Sequence, residues 1–346
     1  MTSRNYQSPD TARQLPVHSP ASASEGARNL LLGCAGLIAG QSVFILAEDP
    51  TLGWYDAEAP RITAEVAMQM GAKVTVVPVG GPDTKLDPSH QVASEQADIR
   101  IYFARIGDQA RFCARPQHGI CVMVYARTAS ALGSDYGTTP HHRMLALKEQ
   151  MNERLFAARS IRLSCPLGTS MTGHPPAIKT EEIADVTVHR FPMCMPAPMP
   201  TTHFSGQVAL VGYLTPTGSE SYNPASLKLD SVVMAHVEKG RIAGYDGPSR
   251  SVEAIHRHYH DVSSWFQVDP TVVHSWHAGI HAGCRFDGMQ DDDPDLWANS
   301  VFGHPGYLHF HTCGDYAPGE ICWTVVNPLI EIDGSPVWSD GQLCLD

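Results

Sequence analysis

Three consecutive segments near the start of the chain limit its fold more than any other feature. Gln41-Ser-Val-Phe-Ile-Leu-Ala47 is mostly apolar and β-branched, Asp56 to Met70 carries apolar residues at helical spacing (Ile62, Val66, Met70) and stops at Gly71, and Lys73-Val-Thr-Val-Val-Pro-Val79 is again β-branched. A strand, a helix and a second strand make a βαβ unit, which implies parallel strands joined by a right-handed crossover. Ala97 to Phe103 and Gly119 to Tyr125 continue the alternation. The N-terminal third therefore reads as a small doubly wound α/β domain. No Gly-x-Gly-x-x-Gly follows the first strand, and Gly80-Gly81-Pro82-Asp83 opens no helix, so a nucleotide site is not expected.

Met144 to Arg159 is helical in pattern, and beyond Cys165 the character changes. Phe191-Pro-Met-Cys-Met-Pro-Ala-Pro-Met-Pro200 has four prolines in ten residues, too many for regular structure, and reads as a wall or loop between domains. Gln207–Tyr213, Asp230–Glu238 and Arg241–Tyr245, with a Lys239-Gly240 turn, suggest antiparallel strands. Ser251–Phe266 is a helix, and Tyr307–Gly314, Glu320–Val326 and Leu329–Ile332 are strands again. The expected architecture is α/β: a doubly wound N-terminal domain (26–165) followed by a β-rich α+β C-terminal domain (166–346). Residues 1–25, rich in Ser, Pro, Ala and Gln, read as a disordered leader.

A formal charge of −12 without a Lys/Arg cluster argues against nucleic acid, which needs a basic footprint. The longest apolar run, Leu30 to Ala47, is broken by Gly33, Gly36 and Gly40 and falls short of a membrane span. The nine cysteines are scattered with no Cys-x-x-Cys pair, which indicates neither a zinc ribbon nor a disulfide framework. A cytoplasmic protein with a small-molecule partner is expected, organised as a homo-oligomer.

Nine of the eighteen histidines fall between His256 and His311. His274-Ser-Trp-His277-Ala-Gly-Ile-His281 and His309-Phe-His311-Thr-Cys-Gly-Asp315 have the spacing of metal ligands. In an extended strand alternate side chains share a side, so His309 and His311 present two imidazoles to one point while Phe310 packs behind them. Imidazoles suit zinc, iron or copper better than calcium or magnesium. Elsewhere, His256 and His260 share a helix face expected to be solvated, His141-His142 reads as a surface loop, and Asp291-Asp-Asp-Pro-Asp295 as a helix N-cap region.

The C-terminal order of elements, with Glu238-Lys-Gly-Arg-Ile-Ala-Gly-Tyr-Asp-Gly247 closing a β meander, His277-Ala-Gly-Ile-His-Ala-Gly283, the strand at Tyr307 and a hairpin at Glu331-Ile-Asp-Gly334, resembles the 2,5-dihydroxypyridine 5,6-dioxygenase family. More distantly it is similar to the thermophilic metallo-aminopeptidases that share its fold. The resemblance covers roughly residues 40–340. It implies an iron(II) held by a histidine in a glycine turn, where His277 falls, and by a late His-x-Asp pair. Glu320 to Thr324, where that pair should lie, contains neither residue. His309 and His311 are the replacements at hand, with Asp315, Glu320 or Cys322 to complete the shell. Asp108 lies where the family places a histidine, and a loop carboxylate there is expected to be solvated.

The resulting expectation is a metal-dependent ring-cleaving dioxygenase acting on a small hydroxylated aromatic or N-heterocyclic compound. Its metal ligands are His277, His309 and His311, its metal Fe(II) with Zn or Mn as alternatives, and its candidate catalytic residues His189 and Glu320. The ring is expected among Trp276, Tyr307 and Phe310 beside the Pro/Met segment. A metal-dependent hydrolase of aminopeptidase type, or a metal-free relative whose histidines act as acid/base groups, remain open.

Overall fold

A computed structural model describes residues 20–109, 111, 116–177, 186–217, 222–316 and 318–345. The first elements are α1 (Pro20–Arg28), which runs into a π-helical turn (Asn29–Cys34), β1 (Ser42–Glu48), α2 (Glu58–Gln69), β2 (Lys73–Val79), α3 (Pro88–Gln96) and β3 (Ile99–Phe103). They continue with α4 (Ile106–Gln109), β4 (Ile120–Val124), α5 (Ala129–Leu132), α6 (Asp135–Thr138) and α7 (His141–Phe156). Beyond α7 come β5 (Ile161–Ser164), β6 (Ser170–Gly173), β7 (His189–Phe191), β8 (Met199–Pro200), β9 (Ser205–Pro216), β10 (Leu227–Glu238), β11 (Arg241–Asp246) and α8 (Ser249–Phe266). The last are β12 (Val273–Ala278), α9 (Pro294–Val301), β13 (Tyr307–Thr312), β14 (Ile321–Val326), β15 (Leu329–Ile332), β16 (Ser335–Ser339) and β17 (Gln342–Leu343).

Five parallel strands in the order β2-β1-β3-β4-β7 form one sheet, the arrangement expected of a doubly wound unit. Its central strands are buried on both faces: Ile99 to Phe103 are all buried, Arg100 among them with its Nη2 donating to the His118 carbonyl. The other strands build a large antiparallel sheet whose long β9 pairs with β10 along most of its length, with β6 at its start and with β14 at its end. No helix among the described residues is long and apolar enough to cross a membrane.

Two expectations change. Residues 20–25 are not a loose leader: they begin α1, whose Ala23 and Ala27 are buried in the first core, because small side chains let this helix sit close to its neighbours. Residues 1–19 of the expected leader lie outside the described residues. Nor do the strands divide at residue 165. β5 already pairs with β15 in the large sheet, and β7 returns to the parallel sheet beside β4 before β8 rejoins the large one, so the chain crosses between sheets three times. A three-residue strand inside a Pro-rich stretch has no periodicity to betray it. That stretch does form a wall, with Met195 in one apolar core and Met193 and Met199 in the other.

Helix α8 fixes which face of β13 and β14 is core. Ile255, His258, Tyr259 and Val262 make one buried stripe at helical spacing. The Trp323 indole N–H donates to Tyr259 Oη at 2.7 Å, and that hydroxyl meets Thr312 Oγ1 at 2.5 Å. The turn after β12 is held from the other side, where the Trp338 indole donates to the Gly279 carbonyl at 2.7 Å.

Gly279 packs so close to Gly303 that a Cβ would lie 2.1 Å from the Gly303 carbonyl carbon. Backbone cannot yield as a side chain can, so Gly279→Ala should destabilise the protein by about 3 kcal/mol in equilibrium urea unfolding. Gly244→Ala, with nothing within 4 Å of the added carbon, is the control and should leave the midpoint nearly unchanged.

His258, buried and with no hydrogen-bond partner for its Nε2 among the described residues, has its pKa pushed down to about 4 by burial. The unfolded chain takes up this proton near pH 6.5 and the folded one only near 4, so stability is lost as pH falls through that window. His258→Leu should recover up to roughly 3 kcal/mol of the loss measured between pH 7 and pH 4. An unchanged acid profile would refute the assignment.

Candidate functional site

Strands β12 and β13 run antiparallel with His277 directly opposite His309, and the two-residue period puts His311 on the same face. The His277 and His309 rings stack at 5.4 Å between centroids with planes 4° apart, and His311 stands 5.0 Å from His277 at 33°. Cys322 on β14 is the cross-strand partner of His311, and its Sγ lies 3.3 Å from His309 Nδ1. His277 and His309 are buried, and His311 is half-buried.

Burial sets the protonation of this trio. It lowers His277 well below the ordinary imidazole range, helped by the neighbouring His311 and His309 and then by Arg190 and Arg111. Burial brings His309 down to about 3, and burial followed by His309 and Arg111 lowers His311. All three are neutral imidazoles at pH 7. Burial also pushes the Cys322 thiol up to about 12, so it stays protonated.

Facing the histidines across a cavity are groups from the carboxyl ends of the parallel strands, where open α/β sheets place their ligands. Arg190 lies on β7, Tyr125 follows β4, and Arg111 comes from the segment after β3 and α4. Asp108, within α4, accepts from the Tyr125 hydroxyl at 2.9 Å and from Arg111 Nη1 at 3.2 Å. Burial, then Asp108, raises Tyr125 above the ordinary phenol range, so it holds its proton. Met195 and Pro198 of the Pro/Met segment and Phe302 after α9 supply apolar surface, with Phe302 edge-on to His277 at 6.3 Å. The cavity is small, with a volume of about 70 Å³.

Several expected site residues lie elsewhere, mostly by one step of strand parity. Trp276 and Phe310 alternate with the histidines and so point to the opposite face, where Trp276 meets Phe204 and Phe310 meets Trp323 in the core. Tyr307 shares the histidine face but packs edge-on against Trp297 of α9 at 5.6 Å and is not part of the cavity wall. His189 is exposed, on the other side of β7 from Arg190 and within electrostatic range of His141. Glu320 is buried just before β14 without lining the cavity, and Asp315 is exposed. His281 sits against Tyr136 at 5.0 Å, and His274 bonds Ser275 Oγ through Nδ1 at 3.0 Å, so neither joins the trio. His141 is buried as the first residue of α7, and Asp108 is buried, where surface positions were expected. Asp293 does cap α9, accepting from the Leu296 N–H at 2.9 Å. Arg111, Arg190 and Tyr125 escaped the sequence reading. Arg190 was legible only through the alternation that excludes His189.

The donor chemistry of the trio suits iron(II), zinc or manganese. Each ring is neutral, and His277 Nδ1, His309 Nε2 and His311 Nδ1 are buried with no hydrogen-bond partner among the described residues. Their lone pairs lie in the ring planes, and those of His277 and His309 lie in nearly parallel planes. Among the described residues no group of three or more His, Cys, Asp or Glu side chains is arranged to hold a metal ion. The trio thus provides the ligand type without the convergence.

No family model matches the sequence, and no curated protein matches it. Solved structures do. The 2,5-dihydroxypyridine dioxygenase from Pseudomonas putida KT2440 superposes with a TM-score of 0.60 at 17% identity, covering 96% of this chain and 99% of that one. Wild-type AmpT from Thermus thermophilus superposes with a TM-score of 0.53 at 13% identity, covering 94% and 99%. Over nearly its whole length, this chain has the mixed α/β fold that the dioxygenase and AmpT share.

Proposed function

We propose that this chain is an enzyme, a metal-dependent oxygenase that opens a small hydroxylated aromatic or N-heterocyclic ring in the cavity between its two sheets. The observation that carries this reading is the trio of neutral imidazoles, two buried and one half-buried, on one face of β12 and β13, lining a cavity at the carboxyl ends of the parallel strands. Both structural neighbours are enzymes, and one of them is a dioxygenase. His277, His309 and His311 are the ligands we assign to that metal, with Fe(II) favoured; holding it requires their ring nitrogens to converge on one point, an arrangement they do not have among the described residues. When bound, the metal supplies the dioxygen chemistry that amino-acid side chains lack.

The chain's own residues account for the remaining work. Met195, Pro198 and Phe302 offer flat apolar surface that orients a ring and excludes water. Tyr125, whose single O–H is donated to Asp108, presents its oxygen as an acceptor for a hydroxyl on the ring. Asp108 orients that hydroxyl and also accepts from Arg111. The histidines, kept neutral by burial, are available as donors at pH 7 without first losing a proton.

His277→Ala should abolish metal retention in protein purified without a histidine tag, read by elemental analysis, and should lower turnover more than about a hundredfold. Its circular dichroism should stay close to wild type, because two separate apolar cores carry the fold. Wild-type protein carrying no transition metal would sink the metal assignment and leave a histidine acid/base enzyme.

The oxygenase reading also requires dioxygen. Turnover under ¹⁸O₂ should place label in the product, and strict anaerobiosis should stop the reaction. Anaerobic turnover with oxygen from water alone would instead favour a metal-dependent hydrolase, the reading to which the AmpT likeness belongs.

A further inference from the structure

We infer that Thr215 is a specificity-determining residue of this cavity, its hydroxyl donating a hydrogen bond to an oxygen atom carried on the edge of the ring. The inference rests on the small-ring reading above and names the side chain that tells an oxygenated ring from a bare one.

Thr215 belongs to the polar face of the large sheet. It pairs with Cys322 across β9 and β14, and Cys322 pairs with His311 across β14 and β13, so the three side chains form one row on the face that carries the histidines. Thr215 lines the cavity and is 0% exposed, yet its Oγ1 has no hydrogen-bond partner among the described residues. A hydroxyl shut away from water without a partner is unfavourable, and a valine fills the same shape without that cost. Its row neighbour offers little in return. Burial keeps the Cys322 thiol protonated, and a thiol sulfur is a weak acceptor.

Two other threonines show that this arrangement is particular to Thr215. Thr217, just beyond β9, is buried and lines the same cavity, but its Oγ1 donates to the Gly319 carbonyl. Thr324 on β14 is buried with an unpartnered Oγ1, but it does not line the cavity. Of the three, Thr215 combines an unpartnered hydroxyl with a place in the wall. The imidazole nitrogens of this face are the ones assigned to the metal, which leaves the Thr215 proton for the ligand. A ring lying on Met195, Pro198 and Phe302 turns its edge toward the strands, and an oxygen on that edge is the acceptor the hydroxyl lacks.

Binding tests this without turnover. Isothermal titration of the full-length protein after chelation, which leaves the ring oxygen no metal to meet, compares phenol and 3-hydroxypyridine with pyridine, single rings that suit a small cavity. Both oxygenated rings should bind at least about tenfold more tightly than pyridine. Thr215→Val should bring them down to the level of pyridine without changing pyridine itself, and Thr215→Ser, which keeps the hydroxyl, should preserve most of the difference. Thr324→Val should leave all three affinities as they are. In the ligand-free protein Thr215→Val should also raise the urea midpoint by roughly 0.3 M, because a buried hydroxyl without a partner has been removed. A lowered midpoint shows the hydroxyl to be satisfied within the fold and overturns the inference. So do oxygenated rings that bind no better than pyridine in the wild type, whether or not the variants fold, and a Thr215→Val protein that weakens all three rings alike. Loss of the difference in Thr324→Val as well makes it a property of the whole face and refutes the assignment to Thr215. Pyridine that matches phenol and weakens with Thr215→Val moves the acceptor to the ring nitrogen and refutes the oxygen. Thr215-dependent selectivity with oxygen-independent turnover leaves this assignment standing and removes the oxygenase reading, whereas ¹⁸O incorporation by a protein whose selectivity ignores Thr215→Val does the reverse.

Discussion

The two-residue period of β12, β13 and β14 is the constraint on which the site depends. One face of these strands carries Trp276, Phe310 and Trp323, and the other carries His277, His309, His311 and Cys322. The aromatic face is pinned by α8 through Tyr259, so the register cannot slip by one residue without turning three aromatic side chains out of the core. That penalty is what holds three imidazoles in a place where their own burial is unfavourable. The site is an outcome of where the aromatic residues must go.

Burial then dictates chemistry. An imidazole in water titrates near neutrality, but these three are packed against one another and face two arginines, and every one of those terms opposes a further positive charge. Neutrality is what a metal ligand needs. The same environment keeps Tyr125 and Cys322 protonated, so the cavity presents donors and lone pairs in fixed roles over the ordinary pH range.

Much of this was legible in the sequence where a period was long enough to read. The βαβ unit, the strands around it and the His-x-His strand come directly from alternation and apolar spacing, and Tyr307–Thr312 lies within the strand expected there. The failures have two physical sources. Parity was applied to the histidines but not to their neighbours, so Trp276 and Phe310 were assigned to a cavity they face away from, and on β7 the exposed His189 was named where the alternate residue Arg190 lines the cavity. Burial of Asp108 and His141 depends on partners remote in the chain: Asp108 is met by Tyr125 seventeen residues on, and the His141 ring stacks on Phe191 at 6.2 Å. No local pattern announces such contacts. The short β7 belongs to the same class, since three residues in a Pro-rich stretch become a strand only because β4 offers an edge.

The two sheets divide the work of the cavity. The antiparallel sheet contributes nitrogen lone pairs from rigid strand positions, and the parallel sheet contributes cations and a phenol from the loops and strand ends at its carboxyl edge. The Pro/Met segment, crossing from one sheet to the other, closes the space between them with surface that makes no polar demands. Because the first set is locked to the aromatic core and the second sits on connections, the second can change without disturbing the fold. This accounts for a chain that keeps the architecture of a dioxygenase and of AmpT over nearly its full length at 13–17% identity. The face that fixes register constrains where side chains stand, and the facing wall is free to select what binds there.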